Sequence, residues 1–194
     1  MMFSLILAIP RDGFDPDTAD VSRSSAATGI SVLCGSLILE MFRYLYLRVY
    51  INGEEQVKRL CHANESPFSD LSSALALGLG FGITYSLLMY GGVLEASLEP
   101  QDYFHDSCPN ISMFIISAFN ALMFQVLSVS ISVIMMKAMR HSKWQRIWRL
   151  VVGVLLHVTT ASLSILNTAG YCGAGMSFVC LVVLASVPIT KYIV

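Results

Sequence analysis

Glu40 and Arg43 sit three residues apart inside an apolar run, and His157 sits inside another, with Thr159, Thr160 and Ser162 close behind it. A lone carboxylate at membrane depth costs roughly 2.5–3.5 kcal/mol on insertion scales, so Glu40 requires a partner. Arg43, one turn on and on the same helix face, can neutralise it. Two uses follow. The pair either locks its helix to a neighbour, or Arg43 holds Glu40 ionised as a general base or metal ligand. His157 poses the same choice, between a buried imidazole hydrogen-bonded to another helix and a metal or proton-transfer residue. The second needs further ligands, and His62, His105 and His141 fall in loops on opposite sides of the expected membrane.

Ala74, Gly78, Gly82 and Ser86 repeat every fourth residue. On a helix this spacing makes a flat groove that lets a second backbone come close, so dispersion and weak Cα–H contacts replace interlocking side chains. The pattern leaves open whether that second helix belongs to this chain or to another. Asn120 and Gln125 offer interhelical hydrogen bonds worth roughly 0.6–2 kcal/mol each.

Five apolar stretches must position these residues, at about 26–47, 71–94, 111–136, 147–166 and 173–194. Crossing the hydrocarbon core takes roughly 20 residues, so the fourth is marginal, and Pro188 is expected to kink or end the fifth. Composition agrees. Of 194 residues, 55% are hydrophobic and 13% charged, against roughly 25% charged in soluble domains. Mean hydropathy is +0.66. A net charge of −1 gives no basic footprint for nucleic acid. The expected fold is an all-α polytopic transmembrane bundle of about five spans over residues 26–194, preceded by an acidic leader over 1–25.

The connections alternate in sign. Arg48, Lys58 and Arg59 follow the first span, and Lys137, Arg140, Lys143, Arg146 and Arg149 follow the third, while Glu95, Glu99, Asp102 and Asp106 follow the second. The positive-inside rule then puts the N-terminus in the lumen and the C-terminus in the cytosol, with Trp144 and Trp148 in the cytosolic interfacial belt. Cys34, Cys61, Cys108, Cys172 and Cys180 form no C-x-x-C pair. Cys108 and Cys172 both fall in lumenal loops, where a disulfide could join them. The sequon at Asn110 abuts the third span, and the one at Asn64 faces the cytosol.

Three segments resemble the anterior-pharynx-defective family, the polytopic scaffold subunit of gamma-secretase: Glu40-Met-Phe-Arg43-Tyr-Leu-Tyr, the glycine helix from Leu77 through Gly82 to Ser86, and His157 with its Thr/Ser-rich continuation to Asn167. The likeness covers about 26–194. Family members have seven spans and a lumenal N-terminus, so the chain looks like one lacking the first two, which preserves the orientation of the rest. Ser86 stands where the family's last ladder glycine falls, and Ser128 aligns with the family's other intramembrane histidine, so a paired-histidine function is lost.

The resemblance implies a subunit without catalytic residues, metal or cofactor, held in endoplasmic reticulum, Golgi and plasma membranes. It implies partners too: presenilin, nicastrin, the presenilin enhancer subunit and membrane lipids. The complex would cleave Notch-type receptors and amyloid precursor-like substrates. Ala74, Gly78, Gly82 and Ser86 would serve assembly, with Glu40, Arg43 and His157 maintaining the packing beneath. Two other classes stay open. A relative of the CAAX prenyl proteases would use Glu40 as base and His157 as its partner, although those enzymes rely on paired glutamates and Leu39 precedes Glu40 here. A small transporter or channel would line a polar path with Glu40, Gln125 and His157.

Overall fold

The computed structural model describes residues 18–61, 69–97, 111–164 and 172–193. They form five helices: α1 (Thr18–Cys61), α2 (Asp70–Ser97), α3 (Met113–Arg140), α4 (Lys143–Ser164) and α5 (Cys172–Ile193). Each expected span has its helix. Two of them, Phe114–Arg140 and Lys143–Ser164, are long and apolar enough to cross a membrane.

Local chemistry sets the ends. Ser69 starts α2, its Oγ accepting from Ser72 N at 3.2 Å, and Ser112 starts α3, its Oγ accepting from Phe114 N at 3.4 Å. In each case a hydroxyl satisfies a backbone donor that the first turn leaves without a partner. Helix α3 closes with His141 N donating to Ala138 O at 3.2 Å. Only His141 and Ser142 separate α3 from α4, and so short a connection folds the second helix back antiparallel on the first.

One expectation needs correction, and of the two outcomes expected at Pro188 one falls away. Helix α1 runs for 44 residues, about 66 Å at 1.5 Å per residue, far longer than a bilayer core. Arg48, Lys58 and Arg59 therefore ride on helix rather than on a loop. The extension is supported by Lys58 Nζ against Glu54 Oε1 at 3.0 Å, one turn apart. At its other end α1 begins at Thr18, within the stretch expected to be leader. Pro188, in turn, does not end α5, which continues to Ile193. Ser186 Oγ donates to Val183 O at 2.7 Å and Thr190 Oγ1 to Ser186 O at 2.8 Å. Both hydroxyls bond back to carbonyls of the preceding turn of their own helix, as Ser and Thr inside helices commonly do.

Helix α3 is the axis. It packs on each of the other four, and from Leu127 to Met136 all but Val129 are buried. Leu127, Ile131 and Met135 meet Leu47 of α1, Ala74 and Leu77 of α2, Ala161 of α4, and Val179 and Val183 of α5. Helix α1 is inside out by comparison. It buries Ser36, Glu40, Arg43, Leu47 and Glu54, at helical spacing, and exposes Leu37, Met41, Leu45 and Val49. Apolar side chains lose nothing by facing lipid, so polar contacts can hold such a helix to its neighbours.

Candidate functional site

Glu40, Arg43 and His157, separated in sequence by up to 117 residues, meet in one buried cluster at 2%, 3% and 6% exposure. The ring of His157 comes from α4 and places Nδ1 2.5 Å from Glu40 Oε1. Facing a carboxylate, Nδ1 is the donor. Arg43 Nη1 lies 3.4 Å from the same oxygen, an ion pair without hydrogen-bond alignment. Its Nη2 donates to Ser128 Oγ on α3 at 2.9 Å, and its guanidinium carbon stands 5.3 Å from the centre of the Phe81 ring on α2. Side chains of all of the first four helices thus meet around one ion pair. Phe124 completes the wall, its ring 6.0 Å from that of His157.

A cavity of about 20 Å³ adjoins the cluster, lined by Arg43, Ser128 and His157 and closed by Phe81, Phe124 and Leu127. That is room for one water molecule, not for a peptide. Among the described residues no three His, Cys, Asp or Glu side chains are grouped to hold a metal ion. What the arrangement can do is brace helices across a low-dielectric interior, where charge pairs are strong and unpaired charges costly.

The small-residue ladder faces α3. A Cβ on Gly78 would stand 2.5 Å from Val129 Cα and 3.2 Å from Ser128 O, so the absence of a side chain there lets two backbones touch. At Gly82 a Cβ would meet the amide of Gln125, 2.5 Å away. Gln125 Nε2 donates to Leu79 O at 3.3 Å, and Ser86 Oγ to Ala121 O at 3.3 Å. Ala74, at the head of the ladder, is 1% exposed. The second backbone, which the spacing left unidentified, belongs to this chain.

A second polar joint escapes the sequence reading. Arg140, at the end of α3, pairs with Glu54 of α1 and, at 2.7 Å, with Asp70 at the start of α2. Glu54 lies where a loop was expected, and its spacing of four from Lys58 was the available signal. Ser128 was read only as a histidine lost, yet it is the partner of Arg43. Between the two joints α1 and α2 stand apart around an apolar cavity of about 650 Å³ that includes Phe42, Tyr46, Tyr50 and Phe81. Cys34, Cys61 and Cys180 are free thiols. Cys108 with its expected bridge to Cys172, His62, His105, Asn64 and Asn110 lie outside the described residues or side chains.

Comparison with known sequences matches residues 18–194 to the family described as Aph-1 protein. The chain is 26% identical over 134 residues to the "Gamma-secretase subunit APH1-like" of Arabidopsis thaliana, a match covering 67% of this chain and 52% of that protein. It is 27% identical over 157 residues to the "Gamma-secretase subunit Aph-1b" of Danio rerio, covering 77% of this chain and 59% of that protein. The chain spans little more than half the length of either.

Proposed function

This chain belongs to the Aph-1 family, and from that premise we propose that it is a non-catalytic scaffold subunit of a gamma-secretase-type intramembrane protease. Both relatives carry the name of a gamma-secretase subunit, and this naming carries the reading. In it, all five helices cross the membrane, the N-terminus is lumenal and the C-terminus cytosolic, and presenilin, nicastrin and the presenilin enhancer subunit are the partners. The α2–α3 contact at Gly78 supports it, since a scaffold must hold a fixed shape before its partners arrive. Ala74, Gly78, Gly82 and Ser86 would then act on assembly through the internal α2–α3 packing. Notch-type and amyloid precursor-like processing would belong to the complex.

The test is purification of the tagged chain from membranes in a mild detergent, with mass spectrometry of what accompanies it. Presenilin and nicastrin are expected in comparable amounts, and Gly78→Leu is expected to abolish their recovery. Normal assembly of Gly78→Leu would remove the ladder from the reading, and absence of both partners would remove the reading itself.

One observation favours a second reading. Glu40 and His157 are in contact, as an enzyme using Glu40 as base would require. Cleavage of a prenylated peptide by the pure chain, lost in Glu40→Gln, would support it.

A further inference from the structure

The cations where α3 meets α4 are not explained by scaffolding. Lys137, Arg140, Lys143, Arg146 and Arg149 recur at every third residue through the end of α3, the turn and the start of α4. No Asp or Glu lies between Asp106 and Val194, so the Asp and Glu side chains of the given sequence all precede these cations. Arg140 finds two, Glu54 and Asp70.

Arg146 and Arg149 are in a different position. They fall on the stripe of α4 that continues inward as Gly153, His157 and Thr160, and both are half-buried. Arg146 Nε and Arg149 Nη1 are closed off from solvent and, among the described residues, have no hydrogen-bond acceptor. Among the described residues Arg146 Nη2 reaches the carbonyl of His141, at 3.4 Å. Two guanidinium groups one turn apart thus hold donors that the described residues do not satisfy, and leaving buried donors unsatisfied costs free energy. On the far side of the same helix Trp144 and Trp148 are 81% and 68% exposed. Paired indoles of this kind mark the headgroup level of a bilayer.

Both side chains are only partly buried, and an acceptor that meets their open part must be anionic, offer several oxygens, and reside at headgroup depth. We propose that Arg146 and Arg149, with Lys143, bind the phosphate of an anionic phospholipid headgroup at the α3–α4 end of the bundle. Guanidinium matches phosphate oxygens two at a time, and the planar fork is what distinguishes it from a diffuse positive field. Zwitterionic lipids present a phosphate as well, but their ammonium is repelled by the same cluster. In the positive-inside orientation this end faces the leaflet that carries the anionic lipids.

The experiment is native mass spectrometry of the full chain in mild detergent, titrated with phosphatidylinositol bisphosphate, phosphatidylserine or phosphatidylcholine. The anionic lipids are expected to bind at lower concentration than phosphatidylcholine. R146Q/R149Q should weaken them about thirtyfold, at about 1 kcal/mol for each cation removed. R48Q/R59Q removes the same number of cations from exposed positions of α1, outside the proposed site, and should weaken them less than R146Q/R149Q does. Equal losses in the two double variants would reduce the site to general attraction and overturn the proposal. So would equal binding of phosphatidylcholine, or displacement of the lipid by inorganic phosphate at the same concentration. R146K/R149K keeps charge and fold but loses the forks, and is expected to fall between wild type and R146Q/R149Q. Binding equal to wild type in that variant would overturn the part assigned to the guanidinium donors.

Discussion

His157 Nδ1 donates to Glu40 Oε1 across 2.5 Å, and this one contact joins the polar face of α1 to α4 in the bundle interior. Its consequence is that Glu40 serves two cations or donors at once, since Arg43 Nη1 lies 3.4 Å from the same oxygen. The order of the brace is therefore carboxylate first. Without Glu40, His157 loses its acceptor and Arg43 its counter-charge, while Arg43 keeps Ser128 as an acceptor.

Glu40→Gln should be the most destabilising single change in the cluster. It leaves Arg43 charged and buried without a counter-charge, which typically costs about 3–5 kcal/mol. Combining Glu40→Leu with Arg43→Met removes both charges, and the double variant should melt above Glu40→Gln in detergent. Melting of the double at the sum of the losses of Glu40→Leu and Arg43→Met measured singly would mean that the two groups are not coupled.

His157→Ala should cost about 1–3 kcal/mol by leaving the carboxylate short of a donor. His157→Asn keeps an amide N–H close to the position of Nδ1 and should recover most of that loss. Equal melting temperatures for the two variants would assign His157 to packing against Phe124 rather than to the hydrogen bond.

Gly78 and Gly82 look equivalent in the sequence and are not equivalent in the fold. A methyl at Gly78 collides with the backbone of Val129, which can yield only if α2 and α3 separate. Overpacking of that kind costs about 1–3 kcal/mol. At Gly82 the obstacle is the end of the Gln125 side chain, which can swing aside at the loss of one interhelical hydrogen bond, about 0.6 kcal/mol. Gly80 has open space around it and should accept Ala without loss. Thermal melting should rank Gly78→Ala below Gly82→Ala and Gly82→Ala below Gly80→Ala, and a reversed order of the first two would contradict the α2–α3 geometry.

What was legible in the sequence was what is costly in an apolar setting. Glu40, Arg43, His157 and the ladder stand out because lipid tolerates them only with a reason, and the structure brings the three ionisable residues together. Their partners were not legible, because spacing reports which face a residue shares and not which helix lies opposite. Ser128 resembles any small residue in an apolar helix, so its hydrogen bond with Arg43 gave no signal beforehand. Glu54 was hidden for the opposite reason. It lies in a charged stretch where one more carboxylate is unremarkable, and only the continuation of α1 to Cys61 brings it against Arg140.

That difference in setting predicts a difference in salt response. The Glu54–Arg140–Asp70 joint is open to water on two of its members, Arg140 at 27% and Asp70 at 34% side-chain exposure, whereas Glu40 and Arg43 are sealed. At 1 M salt the screening length falls to about 3 Å, which weakens exposed pairs and spares buried ones. Arg140→Gln should therefore reproduce in low salt what high salt does to the wild type. In both, amide hydrogen exchange over residues 54–61 should speed up while exchange around Glu40 and Arg43 stays unchanged, with a global stability loss below about 1 kcal/mol. Exchange over 54–61 that ignores both the substitution and the salt would show that α1 holds its extension without these ion pairs.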